Sequence, residues 1–205
     1  MSFLVEFARS PRRTGAVMRS SRRVVASLLD GLDPSSARSV VELGAGDGAV
    51  TRVLRSRLVP GTTLIAVEIN PVLARRLSRC CPDAAVEVVE GSASQLSTLL
   101  RQRGLATVDC VISGLPWTSM GAQERVDTVA AIARVLAEDG RFSLLLCRHM
   151  VESVAGRNLV DLLKEHFGIV RRERTVWSNV PPLTIYECAE PIRADRRAES
   201  GSQAR

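Results

Sequence analysis

Apolar positions along the chain fall into two alternating kinds of run. Short apolar stretches, Ser39 to Leu43, Thr63 to Glu68, Val86 to Val89 and Val108 to Ile112 with their β-branched residues and the apolar run Phe142 to Cys147, predict buried strands. Between them apolar residues recur three and four positions apart, the spacing of a helix that buries one face. These predict helices from Ala49 to Leu58 with Asp47 as cap, from Asn70-Pro71 onward, near Gln95 to Gln102, from about Gln123 to Ala137, and between Val151 and His166, the last weakened by Gly156. An earlier helix, capped by Ser20 or Ser21, carries Val24, Val25, Leu28 and Leu29 and ends at Gly31. Strands that alternate with helices specify an α/β fold, because a parallel strand can be reached only by a crossover long enough to hold a helix. The expectation is a single Rossmann-like doubly wound sheet of about seven strands. Thr175-Val176-Trp177 and Leu183 to Cys188, flanking Pro181-Pro182, predict a closing C-terminal antiparallel hairpin. The chain divides accordingly into a basic N-terminal helical segment (1–31), the main domain (32–192) and a polar tail (193–205) expected to be disordered.

Composition narrows the class. The 205 residues, 45% apolar and 24% charged, are the length and make-up of one globular domain. No apolar run approaches the ~18 residues of a membrane span. Residues 1–7 include Glu6 and soon meet Pro11 and arginines instead of a secretory apolar stretch, so a cytoplasmic location is expected. Net charge is +6, and Lys164 is the only lysine among 28 basic residues. Arg9, Arg12, Arg13, Arg19, Arg22 and Arg23 face Glu6 alone in the entry segment, a charge excess suited to an anionic surface, either phospholipid or nucleic acid. Aromatics at 3% leave little for base stacking, which disfavours nucleic acid. Cys80, Cys81, Cys110, Cys147 and Cys188 lack metal-ligand spacing and read as reduced packing residues, and His149 and His166 are too few to suggest a metal centre.

The chemistry concentrates where the first strand ends, in Glu42-Leu43-Gly44-Ala45-Gly46-Asp47-Gly48. Glycines there let the backbone turn sharply and approach a ligand closely. The turn by itself admits either a nicotinamide dinucleotide or S-adenosylmethionine. Glu68, twenty residues beyond Gly48 at the end of the second strand, can accept both hydroxyls of an adenosine ribose in either case. Glu42 favours the sulfonium cofactor, since a carboxylate beside the glycines can organise a loop around an ammonium group and would repel a pyrophosphate.

VVELGAGDGAVTRVL (40–54) and LIAVEINP (64–71) resemble the signature regions of class I S-adenosylmethionine-dependent methyltransferases. Within that group FARSPRRTGAV (7–17), VVEGSA (88–93), SGLPW (113–117) and VWSNVPPLTIYEC (176–188) resemble the bacterial phospholipid N-methyltransferases, which act on phosphatidylethanolamine. The resemblance implies S-adenosyl-L-methionine as cofactor and the amine of a phospholipid as methyl acceptor. It implies that Gly44, Ala45, Gly46 and Gly48 border the methionine moiety, with Glu68 at the ribose, Ile69 on the adenine face and Ser92-Ala93 beside the adenine. Many relatives carry an aspartate where Ser92 stands, so here a hydroxyl or a backbone group must serve. As in the Asn/Asp-Pro-Pro-Tyr loops of amine methyltransferases, a polar group would receive the amine nitrogen. Gly114 stands first in that frame, so a backbone carbonyl or the catalytic candidate Ser113 must take this role, both residues also bordering the cofactor, while Leu115, Pro116 and Trp117 would line the acceptor site.

Methyl transfer from a sulfonium to an amine is an in-line displacement, so positioning and a dry site matter more than a nucleophilic side chain. The indole of Trp117 would hold a cationic amine by a cation–π contact of ~1–2 kcal/mol, with core packing as the alternative role. His149 is the candidate to relay the amine's proton, and Arg148 the candidate to meet a substrate phosphate. Phe3, Leu4 and Phe7, followed by arginines, suit a segment that wedges into an anionic bilayer, giving a peripheral position on the inner membrane face. The competing functions are a small-molecule methyltransferase of specialised metabolism, an rRNA adenine dimethyltransferase, and a cofactor-binding module without transfer chemistry. Gly114 and Trp117, standing where the rRNA enzymes carry asparagine and tyrosine, oppose the second.

Overall fold

The computed structural model describes residues 24–28, 37–82, 84–179 and 181–193. The expected N-terminal membrane wedge (Phe3, Leu4, Phe7) and the polar tail lie outside the described residues. Of the first helix, residues 24–28 are helical, and Val24, Val25 and Leu28 are buried.

Seven strands form one sheet in the order β3-β2-β1-β4-β5-β7-β6. In chain order the elements are β1 (Ser39–Leu43), α1 (Ala49–Arg55), β2 (Thr63–Glu68), α2 (Pro71–Cys80), β3 (Val86–Glu90), α3 (Leu96–Arg101), β4 (Val108–Ser113), α4 (Ala122–Val135), β5 (Leu136–Cys147), α5 (Val154–His166), β6 (Phe167–Val176) and β7 (Leu183–Pro191). Strands β3, β2, β1, β4 and β5 run parallel, as the helical crossovers require. β7 enters antiparallel between β5 and β6, which is the expected hairpin.

The two central strands are buried nearly end to end because both their faces are covered, Glu42 and Asp109 being the only charged residues within them. On one face Val41, Leu43, Val111, Phe142 and Leu144 pack against α4 and α5 through Val129, Ile132, Leu159 and Leu163. On the other, Val40, Leu64, Cys110 and Ile112 pack against Leu54 and Leu58 and against the helical residues 24–28. Asp109 fixes the β1–β4 register from the amino edge. Its Oδ2 accepts the backbone N–H groups of Arg38 (2.8 Å) and Ser39 (2.9 Å) and the Ser39 hydroxyl (3.0 Å).

Several element boundaries differ from expectation, the clearest for local reasons. Helix α1 is capped by Gly48 in a left-handed conformation, while Asp47 Oδ1 accepts the Ala49 N–H at 3.1 Å. Strands β5 and β6 start directly at the ends of α4 and α5, at Leu136 and Phe167, so β6 is longer than the Thr175–Trp177 stretch predicted. Its alternation was hidden by the run Arg171-Arg172-Glu173-Arg174, which a sheet-edge strand can expose to water. Helix α5 runs on through Gly156, where a Cβ would collide with the Met150 carbonyl oxygen, so the close approach of the preceding turn requires glycine.

Candidate active site

The strand order reverses between β1 and β4, and in such sheets the crevice outside the carboxyl ends of the two diverging strands receives ligands. Leu43 and Ser113 are paired at those ends, so the glycine turn and the Ser113–Trp117 loop leave the sheet side by side. The two loops touch. Gly114 N–H donates to the Leu43 carbonyl at 2.9 Å, and a Cβ on Gly44 would lie 3.1 Å from Leu115 Cδ2. Gly44 also has φ +77°, in the region other residues avoid, so the turn can be made only without a side chain at that position.

Glu42 is buried beneath this turn, and its Oε2 has no hydrogen-bond partner among the described residues. Burial pushes its carboxyl up to about 8; Glu68 and Asp47 add to the rise and Thr51 opposes it. A buried carboxylate with an orphaned oxygen beside a side-chain-free cradle fits a ligand that brings a positive charge, as the ammonium of S-adenosylmethionine does. Thr51 was not singled out from sequence. Its position in step with Leu54 on the buried face of α1, and with Leu58 one turn beyond the helix end, is the signal that would have revealed it.

Glu68 closes the other side of the turn. Its Oε2 accepts the Gly46 N–H and its Oε1 the Asn70 N–H, both at 2.8 Å. The carboxylate therefore ties the glycine turn to the start of α2, a role not anticipated, and each oxygen keeps a lone pair for a hydroxyl. Ile69 beside it is 48% exposed, an apolar side chain standing open at the crevice. Ser92 Oγ lies 2.9 Å from Ser94 Oγ and caps the short 3₁₀ turn Ala93–Gln95, and Ala93 is buried. Ala45 is buried, and Gly46 and Gly48 both take positive φ.

The expectation for Trp117 needs correction. The indole is 1% exposed, its ring tilted against Phe142 with centroids 6.2 Å apart, and its Nε1–H donates to Ser113 Oγ at 3.0 Å. No ring face is open to a cationic amine. Ser113 is likewise fully buried, and its Oγ also accepts the Leu115 N–H at 3.2 Å. Both side chains lock the loop from behind, leaving Gly114 exposed and Leu115 and Pro116 half-buried at the lip. Arg148 and His149 follow β5 on the same sheet edge; His149 is exposed, and the Arg148 N–H donates to the Pro182 carbonyl at 2.8 Å.

Residues 40–140 match a family model described as a methyltransferase domain. The chain is 34% identical over 187 residues, 91% of its length and 93% of the relative's, to an ornithine lipid N-methyltransferase of Singulisphaera acidiphila. It is 32% identical over 188 residues to a ribosomal RNA small subunit methyltransferase A of Bordetella pertussis, covering 84% of this chain and 68% of that one. Among solved structures, the glycopeptide N-methyltransferase MtfA with bound S-adenosylhomocysteine superposes with a TM-score of 0.67 at 15% identity, covering 84% of this chain and 90% of that one. Fibrillarin of Aeropyrum pernix with natively bound S-adenosylmethionine gives 0.64 at 15% identity, over 82% and 74%. At such identities the likeness is one of fold.

Proposed function

Because the chain belongs to the class I S-adenosylmethionine-dependent methyltransferases, we propose that it methylates the primary amine of an aminolipid, of the phosphatidylethanolamine or ornithine-lipid kind. The observation that carries this reading is the match to a lipid N-methyltransferase along nearly the whole of both chains. It is supported by a crevice whose lip, Gly114, Leu115 and Pro116, holds no charged side chain that would bar an acyl-linked head group.

Glu42 would hold the cofactor's ammonium, Gly44, Ala45, Gly46 and Gly48 would border its methionine part, Glu68 would accept the ribose hydroxyls, and Ile69, Ser92 and Ala93 would flank the adenine. When bound, the cofactor would supply a sulfonium methyl group to a neutral amine, whose nitrogen attacks the methyl carbon in line and expels the thioether, becoming a protonated secondary amine. This chain's task is then to place and deprotonate the amine. The carbonyl of Gly114, itself an exposed residue at the lip, would accept one amine N–H and so aim the nitrogen lone pair across the crevice. Ser113 and Trp117 act as positioning residues, because the bond between them fixes where that carbonyl points. A primary alkylamine is mostly protonated at neutral pH, and His149 on the same edge takes the ammonium proton to solvent, freeing the neutral amine. Arg148 pairs with a head-group anion.

Incubation with radiolabelled S-adenosylmethionine and, in parallel, phosphatidylethanolamine micelles, ornithine-lipid micelles, ribosomal subunits and a metabolite extract tests the reading. Label in an aminolipid is expected; label confined to RNA or to small metabolites would overturn it.

A further inference from the structure

Six large apolar side chains are exposed among the described residues: Val59, Ile69, Val72, Val126, Val154 and Trp177. Their placement is lopsided. Val59 lies between α1 and β2 at the amino edge, whereas the other five belong to segments that leave the carboxyl edge. Ile69 and Val72 follow β2, Val126 sits one turn into α4, Val154 opens α5 and Trp177 follows β6. Because β7 is antiparallel to both its neighbours, β6 runs with β5, and the row Cys147, Leu183, Val176 brings its end to the same edge. From β2 to β6 this rim spans five strand spacings, roughly 24 Å.

Trp177 is 70% exposed, yet the turn that carries it is tied down. Asn179 Nδ2 donates to the Pro181 carbonyl at 2.8 Å, and the Pro182 carbonyl accepts the Arg148 N–H at 2.8 Å. A held turn that keeps an indole in water is presenting it, and an amphipathic ring of this kind favours the boundary between head groups and acyl chains. The charges nearby have the sign such a boundary attracts. The Arg148 guanidinium makes no hydrogen bond or ion pair with the described residues, and exposed Arg172 is only 3.5 Å from Glu152 in a solvent-screened pair. Single apolar residues spread over ~24 Å, with Arg148 and Arg172 at the β5–β6 end beside Trp177, suit a soft anionic lipid surface better than a folded partner, which would need a contiguous patch.

We infer that the carboxyl edge of the sheet is the face that rests on an anionic lipid bilayer, with Trp177 of the β6–β7 turn as its interfacial anchor and Arg148 beside it receiving a lipid phosphate. The inference rests on the aminolipid reading for its purpose, since this face is the one where the Gly44–Gly114 crevice opens. It does not rest on that reading for its test.

The chain has two tryptophans, and Trp117 is already buried, so a change of emission on binding reports Trp177. With vesicles of phosphatidylethanolamine and phosphatidylglycerol, emission of the full chain shifts to the blue and is quenched by brominated acyl chains; pure phosphatidylcholine vesicles produce little of either. Trp177→Phe abolishes the shift and keeps most of the binding. Trp177→Ala weakens vesicle partition about tenfold, equivalent to ~1.4 kcal/mol, with methyl transfer to a short-chain aminolipid dissolved as monomers unchanged. The inference is overturned if emission stays put while the protein sediments with vesicles, if Trp177→Ala partitions like the parent, or if emission is already blue without lipid because the chain itself or a second copy covers the indole. Absence of label in any lipid with the shift intact would sink the aminolipid reading alone; transfer to lipid with Trp177 left in water would sink this inference alone.

Discussion

Replacing Glu42 with glutamine should make the cofactor-free protein more stable at alkaline pH and less stable at acid pH, so that the two stability curves cross. Burial raises this carboxyl from 4.5 to about 8. Between those values the folded state holds a proton that the unfolded chain has released, so stability falls as pH rises through the window and levels off above about 8. At 1.36 kcal/mol per pH unit the whole window is worth about 5 kcal/mol. Glutamine does not titrate, but its buried amide meets the position where Oε2 has no partner, which costs about 1–3 kcal/mol. Glu42→Gln is therefore expected to be about 2–4 kcal/mol more stable than the parent at pH 8, and less stable by about 1–3 kcal/mol near pH 4.5. Urea unfolding of both proteins at pH 5, 6.5 and 8 measures the difference, from which the other titrating groups cancel. Parallel pH profiles for parent and variant would refute the reasoning, because they would mean that Glu42 ionises in the folded state as it does in the unfolded one.

Trp117→Phe should keep the loop packed and lower transfer severalfold through loss of the Nε1–H bond to Ser113, whereas Trp117→Ala should cost about 3–5 kcal/mol in urea unfolding as a buried aromatic against Phe142. An amine-saturation curve for Trp117→Phe that leaves kcat untouched and raises only KM would contradict its positioning role. Gly44→Ala must take up φ +77° and press on Leu115, so cofactor affinity measured by calorimetry should drop at least about tenfold. Glu68→Gln leaves one of the two backbone N–H groups of Gly46 and Asn70 without an acceptor, for a loss of about 1–3 kcal/mol in stability on top of weaker cofactor binding; unchanged thermal unfolding would show that the carboxylate does not hold the turn.

How much of this could be read from the residues depended on range. The five parallel strands and their helices were legible because β-branched runs and helical spacing are local signals, and Asn70-Pro71 marked the start of α2 to the residue, its Oδ1 accepting the Val72 N–H at 2.9 Å. The glycine turn and Glu42 were legible because their chemistry sits in seven consecutive residues. What stayed hidden depends on contacts between distant segments. That Trp117 faces inward is set by Phe142 and the far α4–α5 layer, and nothing within SGLPW distinguishes a ring that meets a substrate from one that meets a strand two elements later. Glu68 stands at the end of β2 as its strand pattern predicts, yet its bond back to Gly46 spans 22 residues and becomes visible only when β1 and β2 are paired. The start of β6 was missed because an edge strand that exposes arginines carries no apolar alternation to read.

The account turns on the crevice between β1 and β4 receiving the cofactor's ammonium against the buried Glu42. Isothermal titration with S-adenosylmethionine at pH 7, in two buffers of different ionisation enthalpy, reads this directly. One molecule should bind per chain, with release of roughly 0.9 proton as a carboxyl that titrates near 8 gives up its proton to meet the ammonium, and the release should vanish in Glu42→Gln. No saturable uptake, or uptake by the parent with no proton released, would contradict it.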